Sequence, residues 1–273
     1  MEKQLKQKYE KLKEYLCTLG SVAVAFSGGV DSTFLLAAAK DALGENVTAF
    51  TILSGFVPQR EVEEAVTFAR NLGVRHEFVE IDELSINGVA ANPPERCYLC
   101  KKALFTNLKA MAAKAGIAHV VDGSNVDDDG DYRPGMRALA ELAVQSPLRA
   151  VGLNKEEIRS LSKAMQLPTW DKPSFACLAS RIPYGEEITK AKLVRIEKAE
   201  NFLIDAGFVQ MRVRCHGNLA RIEVPEEDFA RLSNFEMREK IAEAFTKLGF
   251  AYTALDIKGY RTGSLNEVLK DKK

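Results

Sequence analysis

Two rhythms of apolar residues run through the first half of the chain. Short runs rich in Val, Ile and Phe recur at residues 22–26, 47–53, 76–81 and 119–122. Between them, stretches 32–43, 58–72 and 95–115 place their apolar residues at helical spacing. Strands separated by helices of that length predict parallel β-α-β units, and hence a twisted parallel sheet with helices on both faces. Ligands of such sheets sit at the carboxyl ends of the strands.

After a further helical stretch at 154–165 the rhythm changes. PTWDKPSFACLASRIPYGEEI reads as a long ordered loop. It is followed by a helix near 189–206, strands near 210–215 and 220–224, a helix near 235–248 and a strand ending at Asp256. This order predicts an α/β domain with an N-terminal helix over residues 1–179, then a smaller α+β domain over residues 180–273.

Composition narrows the ligand. In a chain of 273 residues, 46% of them hydrophobic, both domains can bury a core without disulfide staples. Thirty-eight Lys and Arg balance thirty-eight Asp and Glu, so no global positive field is available for a long nucleic acid, and a small molecule is the expected ligand. The opening MEKQLKQKYEKLKEYL is charged throughout, unlike a signal peptide, and no apolar run nears the roughly twenty residues of a membrane span. A cytoplasmic location follows as the expectation. There the five cysteines, Cys17, Cys97, Cys100, Cys177 and Cys215, are thiols, metal ligands or catalysts rather than disulfides.

The first apolar run empties into Ser27-Gly28-Gly29-Val30-Asp31-Ser32. Glycines after a strand permit positive φ and close backbone approach, and the helix that follows directs its amides and positive dipole end at an anion. The loop is therefore expected to hold phosphate. It lacks the lysine of a Walker loop and the third glycine of a dinucleotide fingerprint. SGGVDS in this setting resembles the loop of the PP-loop ATP pyrophosphatase superfamily, which includes NAD and GMP synthetases, argininosuccinate synthetase and tRNA thiolases. That resemblance implies that Ser27, Gly28, Gly29 and Ser32 hold the pyrophosphate of ATP and that Asp31 helps hold magnesium, a hard cation that favours oxygen ligands. It also places Ser54, at the end of the second strand, and Gly123 and Asn125 in VVDGSNVDDDGDYRPG around the nucleotide. The run Asp127–Asp129 reads either as part of that surface or as a solvated loop.

ERCYLCK puts Cys97 and Cys100 one turn apart at the start of a helical pattern, where the helix N-terminus and Arg96, Lys101 and Lys102 favour thiolate. Cys177, in a loop, is a third candidate for the same site. Three thiolates suit zinc only with a fourth ligand, and no HxxxH or second CxxC is present. They could instead hold three irons of a cubane and leave the fourth open to a sulfide. Cys17 and Cys215 read as packing residues. A sulfur donor beside an adenylation site points to sulfur transfer.

The set SGGVDS, DYRPG, ERCYLC, FACLASRIPYG, RVRCHGNLARIEV and DIKGYRTGS resembles the LarE-type sulfurtransferases, through both proposed domains. These act on pyridinium-3,5-biscarboxylic acid mononucleotide on the route to the nickel-pincer nucleotide of lactate racemase. The resemblance implies use of ATP and magnesium, adenylation of a carboxylate, loss of pyrophosphate, and sulfur insertion with loss of AMP. Two forms of the chemistry are known in the family. Either one cysteine gives up its sulfur and becomes dehydroalanine, or three cysteines hold a 4Fe-4S cluster that carries the transferred sulfur. With Cys97, Cys100 and Cys177 all present, this sequence resembles the cluster form; otherwise Cys177 is the consumed donor.

Arg212 and Arg214 alternate along a strand, Arg181 follows Cys177 closely, and guanidinium forks suit a substrate phosphate. The family resemblance places Arg212 and Arg214 near such a group and matches Glu200 and Glu223 to acidic positions that bind a cation. It further implies an assembly of identical chains, up to a hexamer, and passing contact with other cofactor-maturation proteins. Competing readings are a tRNA thiolase, a nucleotide-binding redox or iron sensor, and a structural zinc protein.

Overall fold

The computed structural model describes residues 3–130, 134–173 and 176–270. The chain divides into two compact units, Met1–Asp82 with Glu95–Phe175, and Glu83–Pro94 with Ala176–Lys273.

The first unit runs α1 (Lys3–Leu19), β1 (Val22–Ala25), α2 (Val30–Leu43), β2 (Val47–Leu53), α3 (Gln59–Asn71), β3 (Arg75–Glu80), α4 (Arg96–Lys114), β4 (His119–Val121), α5 (Pro134–Glu141), α6 (Pro147–Ala150) and α7 (Lys155–Ala164). Its strands form one parallel sheet in the order β3-β2-β1-β4. Alternation along β1 shows why both faces need cover. Val22 and Val24 enter a core with Leu12 and Leu16 of α1, Phe34 and Leu35 of α2, Ala65 of α3 and Ile158 and Leu161 of α7. Ala23 enters the opposite core, with Phe50, Val79 and Leu104, Phe105 and Leu108 of α4. Buried on both faces, β1 and most of β2 read as continuous apolar runs, whereas the edge strand β3 is largely exposed.

The helix predicted from residue 32 begins two residues earlier, at Val30, because extended Gly29 (φ −78°, ψ 164°) is its N-cap. Chain order runs outward from β1 to β3 and then returns to the other side of β1 with β4. The reversal opens a crevice at the carboxyl ends of β1 and β4, the place where ligands of such sheets bind.

The second unit contains α8 (Lys190–Asp205), β5 (Arg212–His216), β6 (Leu219–Glu223), α9 (Phe229–Ser233), α10 (Phe235–Lys247) and β7 (Tyr252–Leu255). Its sheet is β5-β6-β7, antiparallel between β5 and β6 and parallel between β6 and β7. Leu193, Ile196 and Leu203 of α8 and Ile241 and Phe245 of α10 are buried with Val213, Cys215, Ala220 and Ile222 of the sheet. The segment Glu83–Pro94 goes with this unit, although the sequence reading put it inside residues 1–179. Asn92 explains the difference: with φ 52° and a fully buried side chain, its Nδ2 donates to Ile182 O at 3.1 Å and Pro183 O at 2.7 Å. Among the described residues no helix is long and apolar enough to cross a membrane.

Candidate active site

In the first unit, residues 27–32 leave β1 and enter α2 at the topological reversal. Gly28 has φ +72°, a conformation open to glycine, and a Cβ there would stand 3.2 Å from the Ala65 Cβ of α3. Gly29 has ordinary backbone angles, and a Cβ on it would meet only Ser27 Oγ, at 3.5 Å. The two serine hydroxyls close the loop on itself. Ser27 Oγ and Ser32 Oγ are 3.1 Å apart, Ser32 Oγ donates to Gly29 O at 3.1 Å, and the Gly29 amide donates to Ser27 Oγ at 3.4 Å. The amides at the start of α2 and its dipole thus converge with two hydroxyls, an arrangement suited to phosphate oxygens.

Asp31 stands in the first turn of α2. Its Oδ2 accepts from Lys155 Nζ at 2.5 Å, while its Oδ1 is buried without a hydrogen-bond partner. Burial pushes this carboxyl up from its ordinary value, against the pull of Lys155. A half-satisfied buried carboxylate beside a phosphate loop fits magnesium, which takes one or two carboxylates and completes its shell from phosphate and water. Lys155 is the first residue of α7. Asn154 caps that helix through a reciprocal box with Glu157, and the Lys155 amide donates to Asp127 Oδ2 at 2.8 Å.

The loop after β4 forms the other wall of the first-unit crevice. A Cβ on Gly123 would lie 2.9 Å from Ser32 N and 3.2 Å from the Asp31 carbonyl carbon, so the two loop backbones touch where only glycine fits. Asp122 is spent on structure, its oxygens accepting from Ser146 Oγ at 2.6 Å and Ser124 Oγ at 2.5 Å. Asn125 Oδ1 accepts from the Asp127 amide, and Asp128 Oδ2 accepts from the Asn125 amide, both at 3.0 Å. Asp127 and Asp128 therefore fold the turn rather than standing free in solvent. Ser54 shapes the turn after β2, its Oγ accepting from the Phe56 amide at 3.2 Å. The nucleotide-facing expectation for residues 131–133 lies outside the described residues, as does Ser174-Phe175 of the Cys177 motif.

Cys97 lies in the first turn of α4 and Cys100 at the start of the next, both partly buried, with Arg96 Nη2 at 3.7 Å from Cys97 Sγ. Cys177 belongs to the second unit. Its backbone is pinned at the entry to a tight helical turn, Leu178–Arg181, where its carbonyl accepts from Ser180 N at 3.0 Å, Ser180 Oγ at 2.8 Å and Arg181 Nη1 at 3.3 Å. Among the described residues no three His, Cys, Asp or Glu side chains form a group that could hold a metal ion. The first unit offers two thiols a helical turn apart on α4, and the second unit a third on a fixed backbone. Cys215 is buried on β5 and Cys17 is exposed on α1.

The second unit gathers the predicted arginines. Arg181, fully buried, forks onto Glu200 with Nε–Oε1 2.8 Å and Nη2–Oε2 2.9 Å, and Glu200 Oε1 also accepts from the Val213 amide at 2.9 Å. Arg214 forks onto Glu223 at 3.0 and 2.8 Å, and donates to Ser180 O and Ser264 Oγ. Glu200 and Glu223, the acids expected to face a cation, thus face guanidinium cations. Arg212 lies across from Glu223 in the β5–β6 register, its guanidinium 5.1 Å from the Tyr260 ring centre. Burial, then the neighbouring Arg181 cation, pushes it down to about 10.

Two lysines escaped the sequence reading. Lys155 reaches Asp31 from 124 positions away, and Lys172 Nζ donates to Gly28 O at 3.3 Å and to Glu61 and Glu64 at 2.7 Å each. The capping box before Lys155 is visible in the sequence, but no local signal gives its target.

Comparison with known proteins bears on both units. The NAD synthase family matches residues 2–113. An uncharacterized protein of Synechocystis sp. is 42% identical, covering 97% of this chain and 99% of that protein. One of Methanocaldococcus jannaschii is 30% identical over 96% of each. The pyridinium-3,5-bisthiocarboxylic acid mononucleotide synthase of Lactiplantibacillus plantarum is 37% identical, covering 92% of this chain and 91% of that one. At that identity over nearly the whole of both chains, this chain belongs to the LarE-type sulfurtransferase family.

Proposed function

We propose that the protein adenylates a carboxylate of pyridinium-3,5-biscarboxylic acid mononucleotide and replaces one of its oxygens with sulfur, in the making of a nickel-pincer nucleotide. The observation that carries this reading is the likeness to the Lactiplantibacillus plantarum synthase across 92% of the chain.

The chemistry divides between the two units. A carboxylate oxygen attacks the α phosphorus of ATP, the bond to the bridging oxygen breaks, and pyrophosphate leaves. Residues Ser27, Gly28, Gly29 and Ser32 hold the departing phosphates, with Ser54, Gly123 and Asn125 around the nucleotide. Asp31 would help hold magnesium, while Lys155 pairs with its Oδ2. Amides and cations fixed in advance stabilise the charge that develops on the leaving group. The sulfur nucleophile then attacks the acyl carbon, and AMP departs with the oxygen that the carboxylate contributed. Activation is required because a carboxylate oxygen is otherwise a poor leaving group.

Arg212 and Arg214 take the phosphate of the mononucleotide, with Arg181 and its partner Glu200 behind them; Glu223 and Glu200 keep those cations oriented. The thiols of Cys97, Cys100 and Cys177 would hold a 4Fe-4S cluster, which when bound supplies sulfide at an open iron. The protein would work in the cytoplasm as a homo-oligomer.

Anaerobic turnover tests the reading. Purified protein with ATP, magnesium, inorganic sulfide and the pyridinium nucleotide should release pyrophosphate and yield thiocarboxylate over repeated turnovers, one sulfide consumed per thiocarboxylate, with the chain mass unchanged and iron and acid-labile sulfide bound. Loss of sulfur from Cys177 after a single turnover would make Cys177 the consumed donor. Thiolation of bulk tRNA alone would overturn the substrate.

A further inference from the structure

Two cations have a claim on the Asp31 carboxylate. The reading of residues 27–32 as an ATP loop gives it to magnesium, but its Oδ2 already accepts from Lys155 Nζ at 2.5 Å. Its Oδ1 is buried without a hydrogen-bond partner. Neither oxygen therefore faces a free metal ion as a solvated carboxylate would. Magnesium gives up its water reluctantly and is held through one or two carboxylates together with substrate phosphates. A metal that takes Asp31 has to displace an ammonium first.

The backbones on either side of this ion pair are fixed. Asp31 stands in the first turn of α2, and Lys155 opens α7, where the Asn154–Glu157 capping box and the bond from its own amide to Asp127 Oδ2 hold it. Ile158 and Leu161 of α7 share one core with Phe34 and Leu35 of α2. What can move is the flexible stem of the lysine, whose side chain is 30% exposed. Its rotation frees the carboxylate without shifting either helix. Residues 27–32 include no Lys or Arg, so a polyphosphate on the loop amides would offer the displaced ammonium an anion in place of the one it loses.

We infer that Lys155 is a placeholder for the metal at Asp31: it keeps free magnesium off the carboxylate and yields when metal and polyphosphate arrive together. The inference rests on the ATP and magnesium reading of this loop. Metal alone takes the ammonium's anion away, whereas metal with polyphosphate exchanges one anion for another. By linkage, each ligand then tightens the other.

The test uses Mn2+ as the probe, its binding without nucleotide read by electron paramagnetic resonance, and reads ATP binding separately by calorimetry in EDTA. The proteins are wild type, Lys155→Met and the double variant Asp31→Asn/Lys155→Met. Lys155→Met should bind Mn2+ about tenfold more tightly than wild type and metal-free ATP about tenfold more weakly. Opposite shifts separate a placeholder from a lysine that only supports the fold, whose loss would weaken both. The double variant should lose the gain in Mn2+ affinity. Lys155→Met that binds Mn2+ no more tightly than wild type, or metal-free ATP no more weakly, would overturn the inference, as would a double variant that keeps the gain. Should Lys155→Met fail to fold, Lys155→Gln replaces it under the same criteria. Wild type that binds no ATP, with or without metal, would sink the ATP reading together with this inference. The predicted shifts in a protein that forms no thiocarboxylate would sink the substrate assignment and leave Lys155 standing.

Discussion

Three glycines at one site do three different things. Gly28→Ala forces an L side chain into positive φ against Ala65 and should cost about 1–2 kcal/mol in thermal unfolding. Gly29→Ala meets nothing closer than 3.5 Å, so its melting temperature should match wild type, and any loss of ATP binding then reports contact with the ligand itself. Gly123→Ala drives a methyl to 2.9 Å from Ser32 N, displacing the backbone that carries Asp31, and should weaken ATP about tenfold or more. The neighbouring chemistry separates by residue as well. Asp31→Ala should abolish pyrophosphate release while any bound iron stays, whereas Cys177→Ala should spare pyrophosphate release and stop thiocarboxylate formation; equal loss of pyrophosphate from both would refute the division. Gly28 and Asp31 were legible because the loop's signal is local, six residues after a strand. The constraint on Gly123 and the reach of Lys155 were not, since each depends on a partner far away in sequence.

The strands and main helices were legible in the rhythm of apolar residues, because burial on two sheet faces writes that rhythm directly. The short helices α5 and α9 fall below the length at which periodicity speaks. The strand β5 shows what periodicity leaves out: the alternation puts Arg212 and Arg214 on one side but does not tell that Arg214 pairs with Glu223 and Arg181 with Glu200. Burial alone would raise the Glu200 carboxyl, but Arg181, the Val213 amide and Arg212 outweigh it and hold it below its ordinary 4.5. A carboxylate more acidic folded than unfolded adds stability above its unfolded pKa and loses that contribution as pH falls through the folded value. Acid unfolding should accordingly steepen below about pH 4.5 in wild type and be shallower in Glu200→Gln. Arg181→Met leaves Glu200 buried without its bidentate ion-pair partner, and should cost about 3–5 kcal/mol by denaturant titration.

At the scale of the molecule, the likeness to the pyridinium nucleotide synthase covers 92% of the chain and so extends over both units. The segment Glu83–Pro94 crosses into the second unit through the buried side chain of Asn92, a contact that no composition shift announces. In the proposed chemistry, activation and sulfur delivery share one atom, the carboxylate oxygen that would leave with AMP. Heavy-oxygen label placed in the substrate carboxylates follows that atom, read by mass spectrometry of the AMP formed during anaerobic turnover. The account predicts one labelled oxygen in each AMP, matched by one sulfur in each product. Unlabelled AMP formed alongside thiocarboxylate would contradict it.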